Sequence, residues 1–108
     1  MALEQTVIKV YEAGRLTVVG FDGSFNLENT NISQCRDELA ALIKENACEV
    51  LAFDLTGVRL LPSGLLGLLA SLRQLGVEVH LYNPSDDVRD VLEITNLDRV
   101  MKVHEIEL

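Results

Sequence analysis

The clearest candidate for chemistry is Ser63, which follows Pro62 and opens the run Ser63-Gly64-Leu65-Leu66-Gly67-Leu68-Leu69. A serine at a helix start, behind a proline-stiffened turn, holds an exposed hydroxyl on a rigid backbone. A phosphate placed there would meet free backbone N–H groups and the positive end of the helix dipole. It would also bring nearly two negative charges to the surface, enough to reject a partner docked flush against it. The plainer role is structural. Serine is a favoured N-cap, worth about 1 kcal/mol, and both roles can hold together.

Other chemistries fit these residues less well. A hydrolase elbow needs glycine two residues before and after its serine, but Leu61 and Leu65 stand there. His80 and His104 have no spacing that ties them to Ser63. Gly64 and Gly67 lack the Walker spacing and its lysine, and no GxGxxG occurs. They read instead as a relaxed turn at Gly64 and a point of close approach for a strand or partner at Gly67. Cys35, Cys48, His80 and His104 show no metal-ligand spacing. Asp86, Asp87 and Asp90 gather near one helix start, where the dipole accounts for the first two. No metal or cofactor is expected.

The charge balance narrows the partners. Against 9 Lys and Arg stand 17 Asp and Glu, a formal net charge of −8 in 108 residues. That excess repels nucleic-acid phosphates and anionic lipid, and attracts a partner with a basic patch. The cysteines form no CxxC and read as buried thiols in a reducing compartment. Met1 to Lys9 has neither a basic region nor a long apolar run, so no signal peptide is expected and a cytoplasmic location follows. Val58 to Leu72 is too short to span a bilayer and is broken by Arg59, Pro62, Ser63, Gly64 and Gly67.

The elements that must position Ser63 follow from the periodicity. With 48% apolar residues, the chain can build a core of Leu, Val, Ile and Ala without disulfides. Its length fits one domain over residues 1–108. Thr6 to Tyr11 and Leu16 to Phe21 read as a hairpin around Ala13-Gly14, closed by Asp22-Gly23-Ser24 and a polar loop from Asn26 to Asn31. From Ile32 the period turns helical: Ile32, Cys35, Leu39, Leu42 and Ile43 share a face, Asn31 or Thr30 caps, and Asn46 ends the helix. Val50 to Asp54 reads as a buried strand, Thr56-Gly57 as a turn, and Leu60-Leu61-Pro62 as extended. The leucine-rich helix begins at Ser63-Gly64 and stops at Gly76. It is either covered on several sides or keeps one end, Leu65 and Leu66, for a partner. Glu78 to Tyr82 is the next strand. Asn83 as cap and Pro84 at the first position then start a helix with Val88, Val91, Leu92 and Thr95 inside and Asn96 at its end. Val100 to His104 reads as the last strand. The order β-β-α-β-α-β-α-β implies a mixed, mainly parallel sheet of four to five strands with helices packed mostly on one face.

Three stretches taken together resemble the STAS family. They are Leu51-Ala52-Phe53-Asp54-Leu55-Thr56-Gly57-Val58, then Leu61-Pro62-Ser63-Gly64-Leu65-Leu66-Gly67, which is similar to an Asp-Ser-Ser-Gly-Leu-Gly signature, and Asn83-Pro84-Ser85-Asp86-Asp87-Val88 with Leu92, Thr95-Asn96-Leu97 and Val100. The resemblance implies an α/β binding module of the anti-sigma-factor antagonist type and no enzyme. Its implied partner is an anti-sigma factor that is also a serine kinase of the histidine-kinase-like ATPase fold, and the ATP and metal ion belong to that partner. Ser63 matches the serine that this kinase phosphorylates. Leu61 and Pro62 depart from the pattern, standing where the family usually has an acidic and a small hydroxyl residue.

Two functions stay open on these grounds. One is a partner switch with Ser63 as phosphorylation site and a contact surface of Thr56, Gly57, Arg59, Leu61, Pro62, Ser63, Gly64, Leu65 and Leu66. The other is a non-phosphorylated scaffold or small-ligand module in a sensory assembly. A monomer or weak dimer is expected in both.

Overall fold

The computed structural model describes residues 8–21 and 31–105. In chain order the elements are β1 (Ile8–Glu12), β2 (Leu16–Phe21), α1 (Ile32–Glu45), β3 (Val50–Asp54), α2 (Ser63–Ser71), β4 (Glu78–Tyr82), α3 (Asp86–Ile94) and β5 (Lys102–His104). Short 3-10 turns, Leu72–Leu75 and Leu97–Arg99, follow α2 and α3. The expected order of elements is the observed one.

The five strands lie in the sheet in sequence order, with β1 antiparallel to β2 and the other pairs parallel. Each strand-helix-strand step therefore moves one place in the same direction. Such crossovers are right-handed, so α1, α2 and α3 all land on one face. That face carries Val19, Leu51, Phe53, Val79 and Leu81, each no more than 2% exposed. They pack with Cys35, Leu39 and Ile43 of α1, Leu65, Leu66, Leu68 and Leu69 of α2, and Val88 and Leu92 of α3. Phe21 and Phe53 add ring contact at 5.9 Å between centroids. Among the described residues Thr17 is the buried polar exception, and its hydroxyl donates to the Gly14 carbonyl at 2.8 Å, which closes the hairpin turn.

Several boundaries differ from the sequence reading. The first strand runs to Glu12 with a register shift between Val10 and Glu12, and Thr6 and Val7 lie outside the described residues. The turn at Asp22-Gly23-Ser24 and the loop from Asn26 to Thr30 also lie outside them. Of the two candidates Asn31 and Thr30, Asn31 caps α1, its Oδ1 accepting from the Gln34 N–H at 3.0 Å, and Asn46 closes the helix as expected by donating to the Leu42 carbonyl at 2.9 Å. The third helix does not begin at Asn83-Pro84. Asn83 takes a left-handed conformation (φ 56°) and Ser85 is the cap, its hydroxyl accepting from the Val88 N–H at 3.1 Å. Thr95 is exposed rather than inside, because its hydroxyl bonds back to the Val91 carbonyl at 2.7 Å where the helix ends. The last strand is shortened to Lys102–His104 because Leu97–Arg99 coils first.

Candidate functional site

The segment leading to Ser63 is built by three side-chain devices. The first is a turn over Leu55 to Val58, closed by Val58 N–H donating to the Leu55 carbonyl at 3.0 Å. Gly57 holds φ 82° there, a left-handed value that favours glycine. The Thr56 N–H donates to Asp54 Oδ1 at 3.0 Å and locks the turn to the end of β3. The second device comes from the β4–α3 connection: Asn83 Nδ2 donates to Thr56 Oγ1 at 3.3 Å. The third is Ser85, whose hydroxyl donates to the Arg59 carbonyl at 2.6 Å while it caps α3. One hydroxyl thus starts a helix and clamps the loop ahead of Ser63.

Pro62, not Ser63, is the cap residue of α2. It is extended (φ −58°, ψ 146°), and its carbonyl accepts from the N–H groups of Leu65 at 3.0 Å and Leu66 at 3.1 Å. Ser63 is the first helical residue. Its side chain makes no capping bond, and among the described residues its hydroxyl has no hydrogen-bond partner. The expected cap role is therefore corrected: a residue already at helical dihedrals points its hydroxyl away from the N–H groups a cap would serve. Ser63 and Gly64 are exposed, and neither N–H has an acceptor among the described residues. An exposed hydroxyl beside two free N–H groups at a helix start can accept and hold a phosphoryl group.

The contact surface expected from sequence splits in two. Thr56, Gly57, Arg59, Ser63 and Gly64 are exposed and Pro62 is half-buried. Leu61, Leu65 and Leu66 are buried, at 7%, 0% and 1% exposure, and leave the surface reading. Along α2 the outward positions are Ser63, Gly64, Gly67 and Ser71, so the leucines between them turn into the core. The helix is covered rather than held open at its start. No strand comes close at Gly67 among the described residues: a Cβ there would meet nothing within 4 Å. Ile32 of α1 instead comes to Gly64, 3.8 Å from where a Cβ would sit. Leu60, at 58% exposure, is the apolar residue the site does present, and sequence reasoning missed it. Two adjacent leucines carry no signal for which faces in. Ser85 was missed although the acids directly after it mark a helix start.

Cys35 and Cys48 are buried and free, and burial together with Glu38 pushes the Cys35 thiol up. His80 and His104 do not approach Ser63. Their Nδ1 and Nε2 atoms lie 2.9 Å apart on the helix-free face of the sheet. Among the described residues no three His, Cys, Asp or Glu side chains gather as metal ligands, and no helix is long and apolar enough to cross a membrane.

A family model described as STAS domain matches residues 7–107. The solved NMR structure of the protein TM1081 is similar at a TM-score of 0.76 and 19% identity, over 97% of this chain and 85% of that one. The structure of the anti-sigma factor antagonist SpoIIAA in its unphosphorylated form is similar at 0.71 and 20% identity, over 89% of this chain and 86% of that one. At such identities the likeness is one of fold. No curated protein sequence matches significantly.

Proposed function

The chain belongs to the STAS domain family, and from that premise we propose that it works as an anti-sigma-factor antagonist-like switch. In this reading it binds an anti-sigma factor that is also a serine kinase of the histidine-kinase-like ATPase fold, in the cytoplasm. The docking surface is Thr56, Gly57, Arg59, Leu60, Pro62, Ser63 and Gly64. The observation that carries the reading is the Ser63 hydroxyl, exposed and without a partner among the described residues, on a loop clamped by Ser85. A kinase needs a reachable hydroxyl on a backbone that does not move away. The partner-bound state needs the same patch uncharged. Phosphate on Ser63 would then be held by local N–H groups and would expel the partner by desolvation and repulsion.

Affinity capture of tagged protein from its own cells, with mass analysis of Ser63, tests this. The wild type and Ser63→Ala are expected to retain an ATPase of the stated fold. Ser63→Asp is expected to bind it at least about tenfold more weakly, about 1.4 kcal/mol. Phosphate on Ser63 is expected in the unbound fraction. Equal retention of Ser63→Asp would remove the switch.

A second reading is favoured by Leu61. It stands where the family usually has an acid, and it is buried, so no carboxylate from that position can attend the Ser63 hydroxyl. That arrangement suits a non-phosphorylated scaffold. Persistent absence of phosphate on Ser63 after incubation with the captured kinase and ATP would select it.

A further inference from the structure

The helix-free face of the sheet holds a feature that Ser63 does not use. Parallel register places Leu16 beside Val50, Val18 and His80 on either side of Ala52, and Gly20 and Tyr82 on either side of Asp54 on this face. Between β2, β3 and β4 lies a concavity of about 410 Å³, lined by Leu16, Val18, Ala52, Asp54, Thr56, Tyr82 and Asn83. Ala52 makes the hollow. It is the smallest side chain on this face of the central strand, with Val18 on one flank and His80 on the other.

The hollow has two chemically different ends. From the level of Leu16 to the level of Asp54 it follows β3 for four residues, roughly 13 Å at about 3.3 Å each. The Leu16 end is apolar, and Leu16 itself is 47% exposed. The opposite end lies at the carboxyl ends of the parallel strands, where open α/β sheets receive ligands. There Asp54, Thr56 and Asn83 converge beside the Tyr82 ring. Among the described residues, Asp54 is the only charged one in the lining. Its carboxylate accepts the Thr56 N–H and has no ion-pair partner among the described residues. A carboxylate without a counter-ion, an aromatic ring at the same level and a net charge of −8 all favour a cation and disfavour an anion.

The geometry points to a binding site for a small organic ammonium ion with an apolar tail. The ammonium group sits against Asp54 and the face of Tyr82, with Thr56 and Asn83 at the rim. The tail lies along Val18 and Ala52 toward Leu16. Neither Ser63 nor its free N–H groups take part, so the site stands or falls separately from the phosphorylation switch.

The test is amide chemical-shift titration of the full chain with n-octylammonium, n-octanol and n-octanoate, at low salt, above pH 7 and below micelle formation. Octylammonium is expected to shift the amides of Val18, Ala52, Asp54 and Tyr82 saturably. It should bind at least tenfold more tightly than octanoate, with octanol between them. Asp54→Asn should bring octylammonium down to the level of octanol. Leu16→Thr, at an exposed position, should weaken octylammonium and leave tetramethylammonium unchanged. Ser63→Ala should bind all three octyl probes as the wild type does. Equal affinity for octanoate and octylammonium, or no saturable shift at these amides in the wild type, would overturn the proposal without reference to any variant.

Discussion

Ser85 carries more structure than any other single hydroxyl near the site. It accepts from Val88 as a cap and donates to Arg59 as a clamp. Removing it in Ser85→Ala is expected to cost about 1–2 kcal/mol of stability, read as a shift of the urea midpoint at constant slope. Ser85→Asp separates the two roles. A carboxylate caps α3 and favours its dipole, but it has no proton to give to the Arg59 carbonyl. Its urea midpoint should recover toward that of the wild type. Amide exchange at Val58, whose N–H is bonded to the Leu55 carbonyl just ahead of Arg59, should stay fast, as in Ser85→Ala. Normal exchange there in Ser85→Asp would mean the clamp does not hold the loop.

At the scale of an element, α2 is set by where its small residues fall. Ser63, Gly64, Gly67 and Ser71 form the outward stripe, and the leucines between them fill the core. Gly67 is exposed in the helix interior with open space where a Cβ would stand. Gly67→Ala should therefore stabilise the fold by about 0.5–1 kcal/mol, since alanine has the better helix propensity and meets no obstacle. Gly76 has the opposite sign. It ends the 3-10 turn after α2 at φ 90°, and Gly76→Ala should destabilise by about 1 kcal/mol or more, because a Cβ strains that conformation. The pair can be measured by urea unfolding. Equal effects of one sign would contradict this account of the helix.

At the scale of the whole molecule, the pH dependence of stability follows from the helix-free face. His80 and His104 join β4 to the edge strand β5 through a 2.9 Å contact between ring nitrogens, with the ring planes 4° apart. His80 Nε2 is buried without a hydrogen-bond partner and lies 4.0 Å from Glu78. A proton on Nε2 facing that carboxylate leaves His80 Nδ1 to accept from His104, and this is the favoured tautomer pair. Protonating Nδ1 as well would set two N–H groups against each other. Burial, then His104, lowers the His80 pKa, and Lys102 adds to this while Glu78 opposes it. A base whose folded pKa is lowered binds its proton more readily when unfolded. Its stabilising effect is therefore complete above the ordinary imidazole value of about 6.5 and declines as pH falls through and below it. Glu49, paired with Arg15, and Glu78, paired with Lys102, have lowered pKa values and lose their effect only at more acid pH, below the ordinary carboxylate value. Stability measured from pH 7.5 to 5.5 should fall in the wild type and flatten in His80→Gln. A flat wild-type profile would show that the pair does not hold β5.

The amino-acid sequence by itself determined the element order, the mixed, mainly parallel sheet with one covered face, a cap at Asn31 or its neighbour Thr30, the end of that helix at Asn46, the stop at Gly76 and the placement of Ser63 at a helix start. Each is local in cause: the apolar period of a strand or helix, a capping side chain, or a glycine where the backbone turns left-handed. Only the tertiary structure decided that Leu61, Leu65 and Leu66 are core and Leu60 is surface. It alone brought Ser85 to Arg59, His80 to His104, and Asp54 to Tyr82 at one end of a shallow hollow. These depend on which strand lies beside which and at what register. Hydrogen bonds between residues more than twenty positions apart leave no periodic trace in the chain.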